Sequence, residues 1–144
     1  MDKDKYYMSL ALKEAIKAYK KNEVPVGCVI VKDNKVIAKS HNKKETKKIA
    51  TYHAEILAIN KACKKLKTWH LEECILYTTL EPCIMCTGAI VQSRIKRVVY
   101  GADNKTFGYL SKLNDKKIDI KKNILEKECA KILTDFFNEQ RIIK

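Results

Sequence analysis

The chain has no long apolar run. No stretch reaches the length needed to span a bilayer, and Met1-Asp2-Lys3-Asp4-Lys5 lacks the apolar core of a secretory signal. A cytoplasmic protein is therefore expected. With only four glycines and two prolines, it shows no linker-like segment and no internal repeat. Its 144 residues, 46% of them apolar, suffice for one core, so a single domain over 1–144 is expected. Arginine is also scarce. Only Arg94, Arg97 and Arg141 stand among the 30 basic residues, and the rest are lysine. The formal net charge of +13 favours polyanionic partners. Along the chain the lysines are spread out, apart from short clusters such as Lys43-Lys44 with Lys47-Lys48. The charge thus permits RNA binding without specifying it.

Cysteine is not scarce. There are six, and without a secretion signal reduced thiols are expected rather than disulfides. Cys28, Cys63, Cys74 and Cys129 lie in apolar patterns and read as buried small hydrophobes. Cys83 and Cys86 are different. They are spaced C-x-x-C in Thr79-Leu80-Glu81-Pro82-Cys83-Ile84-Met85-Cys86, which puts both sulfurs on one face of a helix. Pro82 suits the first helical position, placing Cys83 in the first turn, where free N–H groups and the helix dipole favour thiolate. Upstream, His53-Ala54-Glu55 offers an imidazole and a carboxylate. Thr51 is the expected N-cap of a helix beginning there. His53, Cys83 and Cys86 make a three-ligand zinc set with the fourth position left for water, and Glu55 is the candidate general acid and base. Two other readings stand beside this one. C-x-x-C alone also fits a redox pair. A structural zinc would recruit a fourth ligand from Cys28, Cys63, Cys74, His41 or His70.

H-A-E followed by P-C-I-M-C resembles the zinc nucleoside and nucleobase deaminases, whose signature is H-x-E…P-C-x-x-C. Glu23-Val24-Pro25-Val26-Gly27, Gly88-Ala89, Ser93-Arg94-Ile95 and Arg97-Val98-Val99-Tyr100-Gly101-Ala102 extend the likeness to the bacterial tRNA-specific adenosine deaminases, from about Tyr7 to Arg141. The resemblance implies a homodimer and, as substrate, the wobble adenosine of a tRNA anticodon. It implies one zinc per subunit on His53, Cys83 and Cys86, and a substrate pocket that includes Val26, Gly27, Asn42, Ala54 and Pro82. Phe137 and Arg141 match positions near RNA. From the residues alone, Asn42 reads equally as a turn residue and Phe137 as a packing residue. The chain departs from the family at Tyr52, where a small residue is usual, and over residues 104–122, which are short and lack the family's Asn-His-Arg string.

Periodicity places a helix over residues 6–21 with Met8, Ala11, Leu12, Ala15, Ile16 and Tyr19 on one stripe. Strands follow at 26–31 and 36–40, joined by a tight turn at Asp33-Asn34. A polar loop over 43–50 and a helix from His53 to about Leu66 come next, with Trp69 and His70 in the following connection. Cys74–Thr79 and Ile95–Gly101 read as strands, Pro82–Gln92 as a helix, and Ile118–Ile120 as a short edge strand. Glu126–Ile142 reads as a final helix with Ile132, Leu133, Phe136 and Phe137. His41 reads as a surface residue. This alternation indicates an α/β sandwich with a mixed sheet. The resemblance implies the cytidine deaminase-like form, a three-layer α/β/α sandwich on five strands.

In the chemistry so expected, zinc supplies hydroxide at neutral pH and Glu55 moves protons from the water to the ring nitrogen and then to the leaving amine. The product from adenosine is inosine, with the base splayed out of its RNA loop into the pocket. One alternative is a zinc deaminase of a free base or nucleoside such as guanine, cytosine or cytidine. A more remote one is a non-catalytic RNA-binding module stabilised by a four-ligand zinc.

Overall fold

The computed structural model describes residues 2–143. Helix α1 (Lys3–Lys20) leads into β1 (Gly27–Lys32) and β2 (Lys35–His41), then a single-turn helix α2 (Lys44–Lys47) and helix α3 (Ala54–Leu66). Strand β3 (Ile75–Leu80), helix α4 (Ile84–Gln92) and strand β4 (Arg97–Ala102) follow. A 3-10 turn over Leu110–Lys112, strand β5 (Asp119–Lys121) and helix α5 (Glu126–Ile143) complete the order. The five strands form one mixed sheet in the order β2-β1-β3-β4-β5. β1 is antiparallel to both β2 and β3, whereas β3, β4 and β5 run parallel.

Both faces of the sheet are covered, and the strand sequences show why. In β1, Cys28 and Ile30 point into a core shared with Ala54, Ala58, Ile59 and Ala62 of α3 and Ile90 of α4. Val29 and Val31 point the other way, against Tyr7, Met8 and Ala11 of α1 and Cys129 of α5. A strand apolar at successive positions is what two-sided burial requires. The turn between β1 and β2 uses Asp33 and Asn34 at φ 51° and 60°, the left-handed pair that matches the twist of a hairpin. α1 lies so close to β1 that a Cβ at Gly27 would sit 1.9 Å from the Ala11 carbonyl oxygen and 2.6 Å from the Ala15 nitrogen. Glycine at 27 is what lets the small-residue stripe Ala11, Ala15 and Ala18 reach the sheet.

Three expectations are corrected here. The buried face of α1 is Tyr7, Met8, Ala11, Glu14, Ala15 and Ala18, and Ile16 faces solvent. The polar segment after β2 folds into α2 because the buried Glu23 carboxylate accepts the backbone N–H groups of Glu45 and Thr46 and the Thr46 hydroxyl. His41 is not on the surface. It is buried, its Nδ1 3.1 Å from Glu14 Oε1, because its alternation in β2 turns it toward α1.

Away from the ends of α3 and α4, Asp4 ties α1 to the sheet. Arg97 binds it with both terminal nitrogens (3.2 and 2.9 Å), Tyr77 donates its hydroxyl at 2.7 Å, and Lys121 donates at 2.9 Å. Burial alone would raise the Asp4 pKa, but the hydrogen bonds from Arg97, Tyr77 and Lys121 outweigh it and hold the carboxyl well below its ordinary value. Asp4→Ala should therefore cost about 1–3 kcal/mol, chiefly because it leaves the buried Tyr77 hydroxyl without its acceptor. The lowered folded-state pKa also sets a pH window. The contribution is complete above the unfolded carboxylate pKa of about 4 and is lost as pH falls through the folded value. Urea unfolding at a series of pH values should show the gap between wild type and Asp4→Asn narrowing below about pH 4.

Candidate active site

Two helix starts meet on one face of the sheet. α3 begins at Ala54 with His53 as N-cap, extended at φ −78° and ψ 154°. α4 begins at Ile84 with Cys83 as N-cap, extended at φ −74° and ψ −179°. Both starts lie later than the sequence suggests. Thr51 is not the N-cap of α3, because its carbonyl is already taken by the His53 N–H at 2.8 Å. Pro82 does not open α4. Its carbonyl accepts the Tyr109 N–H at 3.0 Å, and the chain remains extended through Cys83.

These shifts bring the ligands together. With His53 just outside its helix and Glu55 in the first turn, the two side chains escape the divergence that positions i and i+2 show inside a helix. Cys83 and Cys86 occupy the N-cap and third helical positions of α4, a spacing at which side chain and backbone meet. His53 Nδ1 lies 3.8 Å from Cys83 Sγ and 3.6 Å from Cys86 Sγ. The three ligand atoms lie within 4.8 Å of one another. A tetrahedral zinc bound at ordinary Zn–N and Zn–S lengths separates imidazole nitrogen from sulfur by about 3.6 Å, so the triad fits that ion. Among the described residues no fourth His, Cys or carboxylate joins this cluster. His41 is engaged with Glu14, His70 with Glu72, and all six cysteines are free thiols.

The electrostatics favour a ligand state. Hydrogen bonds from the Cys86 thiol and from His53 hold Cys83 down to about 3, with the Cys86 backbone N–H adding to them. Cys86 is pushed up by its hydrogen bond to Cys83 and by burial, since one thiolate disfavours a second beside it. The Cys83 hydrogen bond raises His53. A divalent cation would displace these protons and let both sulfurs bind as thiolates. Glu55 is 3% exposed, and its Oε1 has no hydrogen-bond partner. Burial pushes its pKa up to about 7. A carboxyl near neutrality, with one oxygen uncommitted beside the His-Cys-Cys cluster, is suited to take and return a proton.

The surrounding positions fall on two sides. Asn42 donates its N–H to the Val26 carbonyl at 3.2 Å, and its Oδ1 accepts the Ala54 N–H at 2.8 Å. That bond satisfies an orphan donor of α3 and joins Val26, Asn42, Ala54 and His53, leaving the Asn42 Nδ2 to donate elsewhere. Gly27 lies at the start of β1 with its N–H on the Thr79 hydroxyl, and its Cα faces α1. Tyr52 is half-buried next to His53, and its carbonyl accepts the Lys43 N–H at 3.0 Å. On the other side, Pro82 is buried. Phe137 and Arg141 are exposed on α5, which packs against β3, β4 and α1, and Phe137 meets Phe136 edge-on at 5.4 Å.

Sequence reasoning passed over Glu81. Its buried carboxylate accepts the N–H groups of Asn104 (3.2 Å) and Ser111 (2.8 Å), which fastens the short 104–112 segment against the start of α4. Gly108 pairs with Cys83 there, and a Cβ at Gly108 would meet the Asn104 carbonyl oxygen at 2.4 Å. An acid placed directly before Pro-Cys was the available signal.

A His-Cys-Cys cluster at two helix starts, with a buried carboxylate beside it, on a five-stranded mixed sheet covered by helices, defines a deaminase-type fold and site. The chain matches the family model for MafB19-like deaminases over residues 1–141. It is 44% identical to the tRNA-specific adenosine deaminase of Bacillus subtilis, over 98% of this chain and 92% of that protein. A solved structure from work on A-to-I editing by tRNA:A34 deaminases superposes with a TM-score of 0.85 at 39% identity, covering 89% of this chain and 99% of that one. A guanine deaminase structure from Bacillus subtilis matches at a TM-score of 0.67 and 39% identity, over 77% and 76% of the two chains. The chain belongs to the tRNA-specific adenosine deaminases, within the MafB19-like deaminase family.

The cluster's role as a metal site is open to direct measurement. Zinc content of the purified protein should fall from about one per chain to near zero in Cys86→Ser, with loss of cobalt(II)–thiolate absorption on reconstitution. Cys63→Ser should retain both.

Proposed function

We propose that residues 1–144 form one zinc-dependent deaminase domain that converts adenosine to inosine at the wobble position of a tRNA anticodon. The observation that carries the chemistry is the uncommitted Glu55 Oε1, buried beside His53, Cys83 and Cys86. The substrate rests on the tRNA-specific relatives and on the A34 deaminase structure. Zinc held by His53, Cys83 and Cys86 would supply Lewis acidity that makes water a nucleophile near neutral pH.

The chain's own groups do the rest. Glu55 removes a proton from the attacking water and places it on the ring nitrogen, which makes the amine-bearing carbon electrophilic. It then takes the second proton, from the hydroxyl now on that carbon, and passes it to the amine, so that the C–N bond breaks as the carbonyl forms and the products are inosine and ammonia. A pKa near 7 lets one carboxyl serve in both directions. Asn42, anchored by the Ala54 N–H, presents its Nδ2 as a fixed donor for the substrate. Val26, Gly27, Ala54 and Pro82 shape the pocket, and Phe137 and Arg141 meet the RNA. Exposed apolar side chains at Ile84, Val91 and Phe107 favour a second copy of the chain and so a homodimer. No helix among the described residues is long and apolar enough to cross a membrane. Action on tRNA supports a cytoplasmic location.

The guanine deaminase likeness makes a free base the second substrate class to test. Zinc-loaded protein incubated with a tRNA carrying adenosine at the wobble position should produce inosine there, read by sequencing, while guanine, cytosine, cytidine and adenosine release no ammonia. Ammonia from a free base without tRNA editing would overturn the assignment. In Glu55→Gln the rate should fall about 10²- to 10⁴-fold with zinc content unchanged.

A further inference from the structure

Folding joins a lysine-rich segment to lysines of the first helix at one edge of the sheet. Residues 36–67 contain nine lysines against two acids, Glu45 and the buried Glu55, a net +7 of the chain's +13. Three of them, Lys39, Lys61 and Lys65, line one edge of the sheet. β2 pairs only with β1, so its outer side is a free edge. A groove of about 530 Å³ runs along that edge between α1 and α3. Its walls carry Lys13 and Lys17 from α1, Lys39 from β2, and Lys61 and Lys65 from α3. The one carboxylate in its lining, Glu14, is occupied by Lys17 at 2.7 Å and His41 at 3.1 Å. Lys61 reaches across the edge to the Lys39 carbonyl at 2.8 Å.

The groove leads toward the site. Lys43, half-buried beside Tyr52, has Lys61, Lys21 and Lys47 as charged neighbours, with Glu14 the one acid among them. Burial first, and then these three ammonium groups, push the Lys43 pKa down. The Lys43 N–H on the Tyr52 carbonyl at 3.0 Å sets Lys43 against the residue one position from His53. The basic track therefore runs from Lys43 along the edge strand to Lys65. Lysines on an edge strand also discourage strand pairing. That role accounts for Lys35 and Lys39, but not for Lys13, Lys17, Lys61 and Lys65, which come from helices. Mutually repelling ammonium groups around a concave surface destabilise the free protein and are relieved by a polyanion.

We propose that this lysine-walled groove over β2 holds the phosphodiester backbone of the RNA whose base enters the site, as a track for the stem beyond the edited loop. The identity of the anion rests on the tRNA reading, while the groove itself rests on its charge and shape.

The test uses zinc-loaded full-length protein, a tRNA anticodon stem-loop, and fluorescence anisotropy across a salt series. The triple variant Lys39→Glu/Lys61→Glu/Lys65→Glu is compared with Lys5→Glu/Lys96→Glu/Lys127→Glu, which changes the net charge equally at exposed positions outside the groove. Circular dichroism and zinc content verify folding of both. The groove variant should lose at least tenfold in affinity near 0.1 M salt. Its slope of log K against log salt should flatten by roughly 2–3, as expected for three lost phosphate contacts. The control should lose much less, and the rate at saturating RNA should be unchanged in both. Equal losses in the two variants would mean long-range attraction without a site and would overturn the proposal, as would full affinity in the groove variant. So would binding of a polyglutamate peptide, but not RNA, that depends on the groove lysines, since the groove would then take an acidic protein segment. Inosine formation on the same samples separates the two conclusions. Groove-dependent RNA binding without inosine refutes the tRNA editing function alone, and inosine with groove-independent binding refutes the track alone.

Discussion

A carboxylate buried with one oxygen unpartnered is a standing cost in a folded protein, and the arrangement around Glu55 is built to tolerate it. The group sits in the first turn of α3, where free N–H groups and the helix dipole favour negative charge. His53 stands one turn-end away, and Cys83 and Cys86 face it from α4. Neither helix start can move independently. α3 is held by Asn42 on the Ala54 N–H, which ties it to the Val26 end of β1. α4 is held by Glu81 and the Pro82 carbonyl, which clamp the 104–112 segment over its first residues. The two clamps come from opposite sides of the sheet's change from antiparallel to parallel pairing at β3. The site is where those two halves are forced to meet.

The same end of the molecule carries opposing electrostatic demands. Glu55 and the thiols need a dry, positively biased environment, and the helix starts supply it locally. The lysines at 21, 43, 47 and 61 surround the approach without entering the cluster, and their mutual repulsion is part of the free protein's energy. On the other sheet face, Asp4 gathers Arg97, Lys121 and Tyr77 into a fully bonded group. Cations are thus neutralised where α1 must be held to β3, β4 and β5, whereas around the groove five lysines share the single carboxylate of Glu14. The distribution of acids, rather than of lysines, makes the difference.

The clustering of His53, Cys83 and Cys86 was legible because its constraint is local. C-x-x-C places two sulfurs on one helical face whatever the rest of the chain does, and H-x-E adds an imidazole and a carboxylate two residues apart. The order of strands and helices was legible from apolar runs in β1, β3 and β4. The helix starts were misplaced by a residue or two because capping is decided by competition for backbone groups. Pro82 looks like an ideal first helical residue until its carbonyl is claimed by Tyr109, a partner 27 positions away in sequence. His41 was misread for the same reason: only the strand register turns it toward Glu14. Glu23 and Glu81 were given no role of their own from the sequence. Each is a buried acceptor for backbone N–H groups more than 20 positions away, and only the acid before Pro-Cys gave any local sign of it. The lysine groove was invisible because its walls come from three elements separated in sequence and joined only at the edge of the sheet.

The near-absence of arginine bears on how such a surface divides its work. An arginine fork matches phosphate or a base edge in a defined geometry, so it orients what it binds. Lysine offers a mobile point charge on a flexible stem, which attracts phosphates and fixes little. A track made only of lysines around β2 therefore adds affinity and approach rate without reading sequence or register. The rigid part of the site is different in kind: Asn42 is fixed by the Ala54 N–H and the His53, Cys83 and Cys86 cluster by two helix starts. The groove lysines are then free to vary in position so long as the charge stays at that edge, whereas Asn42, Glu55, Glu81 and the three ligands cannot move without losing the geometry that holds them.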